Sequence, residues 1–357
     1  MSRGMNFLLT SMILSSLLDP PPMDLNTASA WELTSLKGVG EATAESIIWY
    51  RENVSFFFTI EELLFVPGVG ESLLEDIRSS VSVQIPESSF HERVLIAEHI
   101  PDDTTLTAVF LDVGNGDAVL LQTAEQTWLV DSGPPGEGAI RAPVVQRLRE
   151  AGIDTVTAVA FTHPHADHIG GCQDVLEVFN CTRLIDPGIF HSSTIYEALL
   201  EYVFETECQY TVAEPDDRWD LGGGVEMLVV SLERNAGSLN EASAVFLVTL
   251  KDFSLLITGD IENESIMRMT MEQMPVTVMK VPHHGSLTSL FPPWIRKTSP
   301  QAAVFCCGRG NPFGHPDRRV VEAWESTGAR ILRTDRNGNI FLYTDGESMA
   351  FTLSMQL

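Results

Sequence analysis

The nine residues His163-Pro164-His165-Ala166-Asp167-His168-Ile169-Gly170-Gly171 follow directly on an apolar run, 156–162, that reads as a buried strand. Three histidines and one aspartate fall within six of these residues, more than surface composition alone collects. In extended backbone His163 and His165 project from one side, while Asp167 and His168, opening the next helix, turn toward a neighbouring point. Imidazole nitrogens and a carboxylate suit a divalent cation of hard-to-borderline character. Two further candidates lie just past apolar runs: Asp260 in Thr258-Gly259-Asp260, after 254–258, and His283-His284-Gly285-Ser286, after 276–281. Ligands carried on the ends of several strands can converge on one point, which ligands spread along one element cannot do.

Working outward, apolar and β-branched runs predict strands at 106–113, 118–122, 127–130, 225–231, 244–250, 302–306, 329–333 and 340–344, with a helix at 141–151 closed by Gly152. Strands outnumber helices in a mixed order, which predicts two packed sheets with helices outside. The chain has 357 residues, room for roughly two domains of about 150 residues. Its 49 acidic and 22 basic residues give a net charge of −27, so a surface that is a nucleic-acid platform throughout is excluded, and a local site is not. Five cysteines, odd in number and without C-x-x-C spacing, read neither as a disulfide scaffold nor as a zinc ribbon.

At the N-terminus, Arg3 precedes an apolar run from Phe7 to Leu18 that is broken by Asp19-Pro20-Pro21-Pro22. Twelve helical residues reach about 18 Å, too short for a bilayer core of about 30 Å. Residues 1–23 are therefore read as a leader of export-signal type, with a periplasmic or extracellular location favoured and a cytoplasmic one as the alternative. Elsewhere the apolar runs are of strand length, so no transmembrane channel is expected. Residues 84–104, polar and interrupted by proline, read as a linker to a domain at 105–354.

Residues 24–83 contain a repeat with an offset of 30: Glu32-Leu33-Thr34-Ser35-Leu36-Lys37-Gly38-Val39-Gly40-Glu41 aligns with Glu62-Leu63-Leu64-Phe65-Val66-Pro67-Gly68-Val69-Gly70-Glu71. Each copy reads as a short helix, a Gly-x-Gly turn and a second helix, whose N-terminal amides offer a phosphate site. With the lead-in Asp24-Leu25-Asn26-Thr27-Ala28-Ser29, these residues resemble the tandem helix-hairpin-helix domain of the ComEA family. That resemblance implies duplex DNA binding without sequence preference through Gly38, Val39, Gly40, Gly68, Val69 and Gly70, with Lys37 the one cation beside a hairpin. Residues 24–85 carry three basic and ten acidic residues, a net of −7, unlike a module built for a polyphosphate. Weak DNA binding, or a packing or protein-interaction role, is the expectation.

The larger domain resembles the metallo-β-lactamase fold superfamily, and more closely the C-terminal nuclease-like domain of the ComEC family. The resemblance rests on Leu111-Asp112-Val113-Gly114-Asn115-Gly116-Asp117-Ala118, Val130-Asp131-Ser132-Gly133, the stretch His163 to His168, Thr258-Gly259-Asp260, Lys280-Val281-Pro282-His283-His284-Gly285-Ser286, Gly314-His315-Pro316, Arg333-Thr334-Asp335 and Asn337-Gly338. It implies an αββα sandwich and two divalent metal ions, Zn²⁺ or Mn²⁺. His163 and His165 would hold the first metal and Asp167 and His168 the second. Asp260 would bridge them, His283 would complete the second site, and Asp131 and His284 would support the ligands from behind. Asn240 and Ser243 stand where many superfamily members place another metal-binding histidine, with His191 too far upstream to replace it. That leaves the first site one ligand short.

The resemblance further implies attack of a metal-bound hydroxide on a DNA phosphodiester, oriented by Asp167. In the reading of the residues themselves, His315 is the candidate to protonate the leaving oxygen or hold the phosphate, and Lys280, Arg309, Arg333 and Arg336 are candidates for local positive charge, with ordinary surface arginine the alternative. The leading expectation is a nuclease of DNA uptake or of external DNA degradation. A metallo-hydrolase of a lactone, thioester or β-lactam, and a non-catalytic DNA-binding protein, are the alternatives.

Overall fold

The computed structural model describes residues 21–53, 57, 60–84, 94–95, 100–137, 140–270 and 276–354. The expected leader, apart from 21–23, and the expected linker, apart from 84, 94–95 and 100–104, lie outside the described residues. The chain divides into two compact units, Met1–Glu87 and Ser88–Leu357.

In the first unit, strands β1 (Met23–Asp24) and β2 (Val81–Ser82) pair in parallel and tie its two ends together. Between them lie helix Ala30–Leu33, helix Glu41–Asn53, the 3₁₀ segment Ile60–Phe65 and helix Glu71–Ile77. Ser29 and Glu32 form a capping box at the first helix, satisfying two otherwise orphaned amides. The core of the unit is a single cluster around Leu25, Leu33, Ile47, Leu63 and Leu74. Asn26 clasps the middle of the unit: its amide donates to the Phe57 carbonyl at 2.8 Å and its Oδ1 accepts from the Phe57 N–H at 2.6 Å.

The second unit is a sandwich of two sheets. The nine-stranded sheet runs β3 (Val94–Leu95), β18 (Met349–Ser354), β17 (Asn339–Thr344), β4 (Leu106–Phe110), β5 (Val119–Gln122), β6 (Thr127–Val130), β7 (Ala158–Ala160), β8 (Arg183–Asp186) and β9 (Gln209–Val212). The seven-stranded sheet runs β10 (Arg218–Gly222), β11 (Val225–Ser231), β12 (Val245–Leu250), β13 (Phe253–Ile257), β14 (Val278–Lys280), β15 (Ala302–Phe305) and β16 (Arg330–Arg333).

Alternation of side chains across each strand builds three apolar layers. Leu106, Ala108 and Phe110 of β4 face inward and meet Met227, Phe246 and Val304 of the other sheet. Val109 and Leu111 face outward, in the cluster that takes in helices Pro143–Glu150, Cys172–Val178 and Thr194–Glu205. Helices Asn263–Thr270, Pro292–Thr298 and Arg318–Glu325 cover the other sheet. The result is the expected αββα order. All five cysteines are unbridged, with Cys306 and Cys307 fully buried as small core residues. Among the described residues no helix is long and apolar enough to cross a membrane.

Strands β6 to β9 are mutually parallel, and so are β13 to β16. Parallel strands present their C-terminal ends along one edge, the place where α/β sheets put ligands. Asp131 follows β6, Thr162 and His163 follow β7, Asp260 follows β13, and His283 and His284 follow β14.

Candidate metal centre

Asp131 leaves β6 in a left-handed conformation, φ 58°, which costs a non-glycine residue free energy and re-aims its carboxylate under the next strand. There it accepts the Thr162 N–H at 2.7 Å and the Thr162 hydroxyl at 2.9 Å. It also faces His168 Nδ1 at 2.9 Å. A carboxylate only accepts, so His168 Nδ1 carries the proton and Nε2 is turned toward Asp260 Oδ2, 3.3 Å away.

His163 Nε2 lies 2.9 Å from His165 Nδ1. The other nitrogen of His163 sits 3.1 Å from the Thr162 hydroxyl and 3.2 Å from the Ser243 hydroxyl. That Ser243 oxygen also accepts the Asp260 N–H at 3.2 Å, so it links the two halves of the centre at the position where a ligating histidine is missing. Burial lowers both His163 and His165 below the ordinary histidine range, which keeps their nitrogen lone pairs available.

The two adjacent histidines after β14 both adopt left-handed backbone, φ 48° and 53°, and their side chains part. His284 is buried. Its Nδ1 donates to the Cys306 carbonyl at 2.9 Å, and Nε2 lies 3.4 Å from Asp167 Oδ2 and 3.4 Å from Asp260 Oδ2. His283 points aside: Nδ1 is 3.1 Å from Glu262 Oε1 and 3.1 Å from the Thr288 hydroxyl, and Nε2 is 3.8 Å from Asp260 Oδ2 and 3.5 Å from the Asn240 amide. The sequence reading took His283 as the ligand and His284 as its support; in the structure His284 is the one whose Nε2 faces Asp167 and Asp260. His284, with Asp167, His168 and Asp260, forms the tight group of ligand atoms.

Donors about 2.1 Å from a tetrahedral zinc lie roughly 3.4 Å apart, which matches the separations around Asp260. His168 Nε2, His284 Nε2 and Asp260 Oδ1 are buried and make no hydrogen bond, as expected of atoms whose partner is a cation. On these grounds the residues fit divalent metal ions. Burial opposes charge on His168 and His284, but Asp260 with Asp131, and Asp260 with Asp117, outweigh it and raise both well above the ordinary range. The pocket is anionic enough to draw protons where it lacks a dication.

Asp117 and Lys280 belong to the centre, and the sequence reading gave Asp117 no role. Both are wholly buried and form an ion pair, with Lys280 Nζ also donating to the Gly259 carbonyl at 3.0 Å. Asp117 Oδ1 lies 3.3 Å from His284 Nδ1, so the pair stands directly behind that imidazole. Gly116, next to Asp117, lets the Asp167 backbone approach closely: a Cβ there would clash with the Asp167 carbonyl oxygen. Lys280 and Arg333 are therefore not surface cations; Arg333 is buried against Asp335 at 2.6 Å. His315 packs edge-on against His283, ring centroids 5.7 Å apart, and burial with the neighbouring imidazoles pulls it down to about 4. His191, set aside on sequence distance, has its ring 6.1 Å from that of His165.

In the hairpin unit, Gly38 and Gly68 take φ of 83° and 90°, and Gly40 and Gly70 lead into helices Glu41–Asn53 and Glu71–Ile77. Val39 and Val69 are buried in the core of the unit, and their N–H groups donate to the Leu36 and Val66 carbonyls. Lys37 is paired with Asp76 at 2.8 Å, Arg51 donates to the Leu25 and Ala28 carbonyls, and Arg78 pairs with Glu75. Each basic residue among the described residues of the unit is engaged within it. Lys37→Gln is expected to change duplex affinity by less than about twofold and Asp76→Asn to raise it, as read by anisotropy titration at two salt concentrations. A loss of about tenfold in Lys37→Gln would mean that the ammonium leaves Asp76 for phosphate.

The family description Metallo-beta-lactamase superfamily matches residues 111–309, and Helix-hairpin-helix motif matches 21–82. ComE operon protein 3 of Bacillus subtilis is 27% identical over 252 residues, 64% of this chain and 32% of that one. Competence protein ComA of Neisseria gonorrhoeae is 30% identical over 244 residues, 68% of this chain and 32% of its own. ComE operon protein 1 of Bacillus subtilis is 45% identical over 62 residues, 17% of this chain and 30% of its own. The chain spans about a third of the length of these curated relatives. With the candidate ligands at its strand ends and the matched residues together, the chain belongs to the metallo-beta-lactamase superfamily of metal-dependent hydrolases and carries a helix-hairpin-helix motif in its N-terminal unit.

Proposed function

We propose that the chain is a metal-dependent phosphodiesterase that hydrolyses DNA, acting in DNA uptake or in the breakdown of external DNA. The observation that carries this reading is the convergence of Asp167, His168, Asp260 and His284 beside the His163–His165 pair, in a chain that also holds a helix-hairpin-helix motif. The competence proteins among its relatives support the biological setting.

His163 and His165 would hold one cation; Asp167, His168 and His284 would hold a second, with Asp260 between them. Two divalent cations, Zn²⁺ or Mn²⁺, would supply Lewis-acid activation of water and of a phosphoryl oxygen there. Asp131 and the Cys306 carbonyl fix which nitrogen of His168 and of His284 faces inward, so neither imidazole reorganises during the reaction. Asp167, partly exposed at the mouth, is placed to orient the attacking water, and His315 to hold a phosphate oxygen. Ser243 and Asn240 keep His163 and His283 in position.

The test is incubation of the full chain with Mn²⁺ or Zn²⁺ and single- or double-stranded DNA, beside His165→Ala and Asp260→Ala. Cleavage by the wild type alone is expected. Cleavage that survives both substitutions would sink the assignment. Activity confined to a lactone or β-lactam panel would replace the substrate class.

A further inference from the structure

Phe190 and Phe313 are 84% and 70% exposed, and each stands in a loop that reaches the metal centre. Phe190 directly precedes His191, whose ring meets that of His165 edge-on at 6.1 Å. Phe313 lies nearly parallel to His315 at 5.9 Å, and His315 packs on His283 at 5.7 Å. Rings continue between these two ends through the centre itself: His165 to His163 at 4.6 Å, His163 to His168 at 4.1 Å, His168 to His284 at 5.5 Å and His284 to His283 at 6.1 Å.

Phe190 also walls a depression of about 570 Å³ together with Ile189, Leu239 and Ala242. Ala242, in its wall, is followed by Ser243, whose hydroxyl is 3.2 Å from His163 Nδ1. A lone exposed phenyl ring is ordinary on a protein surface. These two differ in flanking a phosphate-directed centre on loops that are held in place. Asp186 accepts the Gly188 N–H at 2.6 Å and both the Tyr196 and Tyr210 hydroxyls at 2.8 Å, which fixes the start of the Phe190 loop. Asn311 accepts the His315 N–H at 2.9 Å, which fixes the other loop.

The charge around the depression narrows the occupant. Its cation, Arg234, is spent on Glu214 at 2.9 Å and on the Pro187 carbonyl at 2.7 Å. Lys280 and Arg333 are buried in ion pairs. A duplex keeps its base faces inside the stack and offers mainly phosphate, which an acidic protein attracts poorly. A single strand offers bare base faces, and stacking on aromatic rings needs no cation.

Resting on the phosphodiesterase reading above, we propose that this cleft takes single-stranded nucleic acid, with a base on either side of the reacting phosphate stacked on Phe190 and on Phe313. The full chain, its Phe190→Ala and Phe313→Ala variants, and the corresponding Phe→Tyr variants are compared with labelled octathymidylate, a base-free deoxyribose phosphate oligomer of equal length and a blunt duplex. Affinity by anisotropy and kcat/KM with Mn²⁺ are both read. Each alanine variant is expected to lose roughly tenfold on octathymidylate and nothing on the base-free oligomer, and each tyrosine variant to retain wild-type values. Unchanged octathymidylate affinity and kcat/KM in both alanine variants, or preference of the wild type for the duplex, overturns the proposal. Wild-type hydrolysis of bis(4-nitrophenyl) phosphate reads the phosphodiesterase separately: its absence, with stacking-dependent binding intact, sinks that activity and leaves the cleft assignment standing.

Discussion

Asp260→Ala is expected to abolish hydrolysis, with a fall of at least about a thousandfold in kcat/KM, because it removes the carboxylate that faces both His168 and His284. Asp260 Oδ2 lies 3.3 Å from His168 Nε2 and 3.4 Å from His284 Nε2, and no other carboxylate among the described residues lies this close to both. Metal content after dialysis, read by mass spectrometry, should fall with activity. Asp131→Asn provides the contrast. That carboxylate acts only through His168 and Thr162, so its loss should cost about tenfold to a hundredfold. Equal losses in the two variants would mean that Asp260 is not a ligand.

The second large effect concerns stability. Lys280→Met strands the Asp117 carboxylate in a site where both groups are wholly buried, and removal of one partner from such a pair typically costs about 3–5 kcal/mol. For a unit of this size that is a fall in Tm of roughly 10 °C by calorimetry. Adding Asp117→Asn to Lys280→Met removes the stranded charge and should restore more than half of the loss. A single Lys280→Met variant within about 1 kcal/mol of wild type would show that water or a cation reaches the pair.

Much of the sandwich was legible because its central strands are continuous apolar runs: 127–130 coincides with β6, 156–162 and 302–306 enclose β7 and β15, and 254–258 overlaps β13 with an offset of one residue. Strands β8, β9 and β10 escaped that reading. Arg183–Asp186 and Arg218–Gly222 carry charge inside four or five residues, and Gln209–Val212 lies at a sheet edge with no wholly buried side chain. They owe their conformation to neighbouring strands more than to local pattern.

The grouping of His163, His165, Asp167, His168 and Asp260 was legible for a different reason. Four share one contiguous motif, and the fifth directly follows a recognisable strand. That His284, and not His283, turns toward Asp167 and Asp260 was not legible, since two successive left-handed residues depart from the alternation that extended backbone would impose. Nor was the place of His191, which is brought to His165 by the loop between β8 and helix Thr194–Glu205. Lys280 was legible only as local positive charge, because sequence records charge and not its burial; its partner lies on a loop of the other sheet.

That buried ion pair also constrains how the chain can change over time. Substituting either residue alone passes through an intermediate with one naked charge inside the protein, so the two positions should mutate together or not at all. Among homologous chains, positions 117 and 280 should accordingly covary: an acid with a base, or two neutral residues, and rarely a mixture.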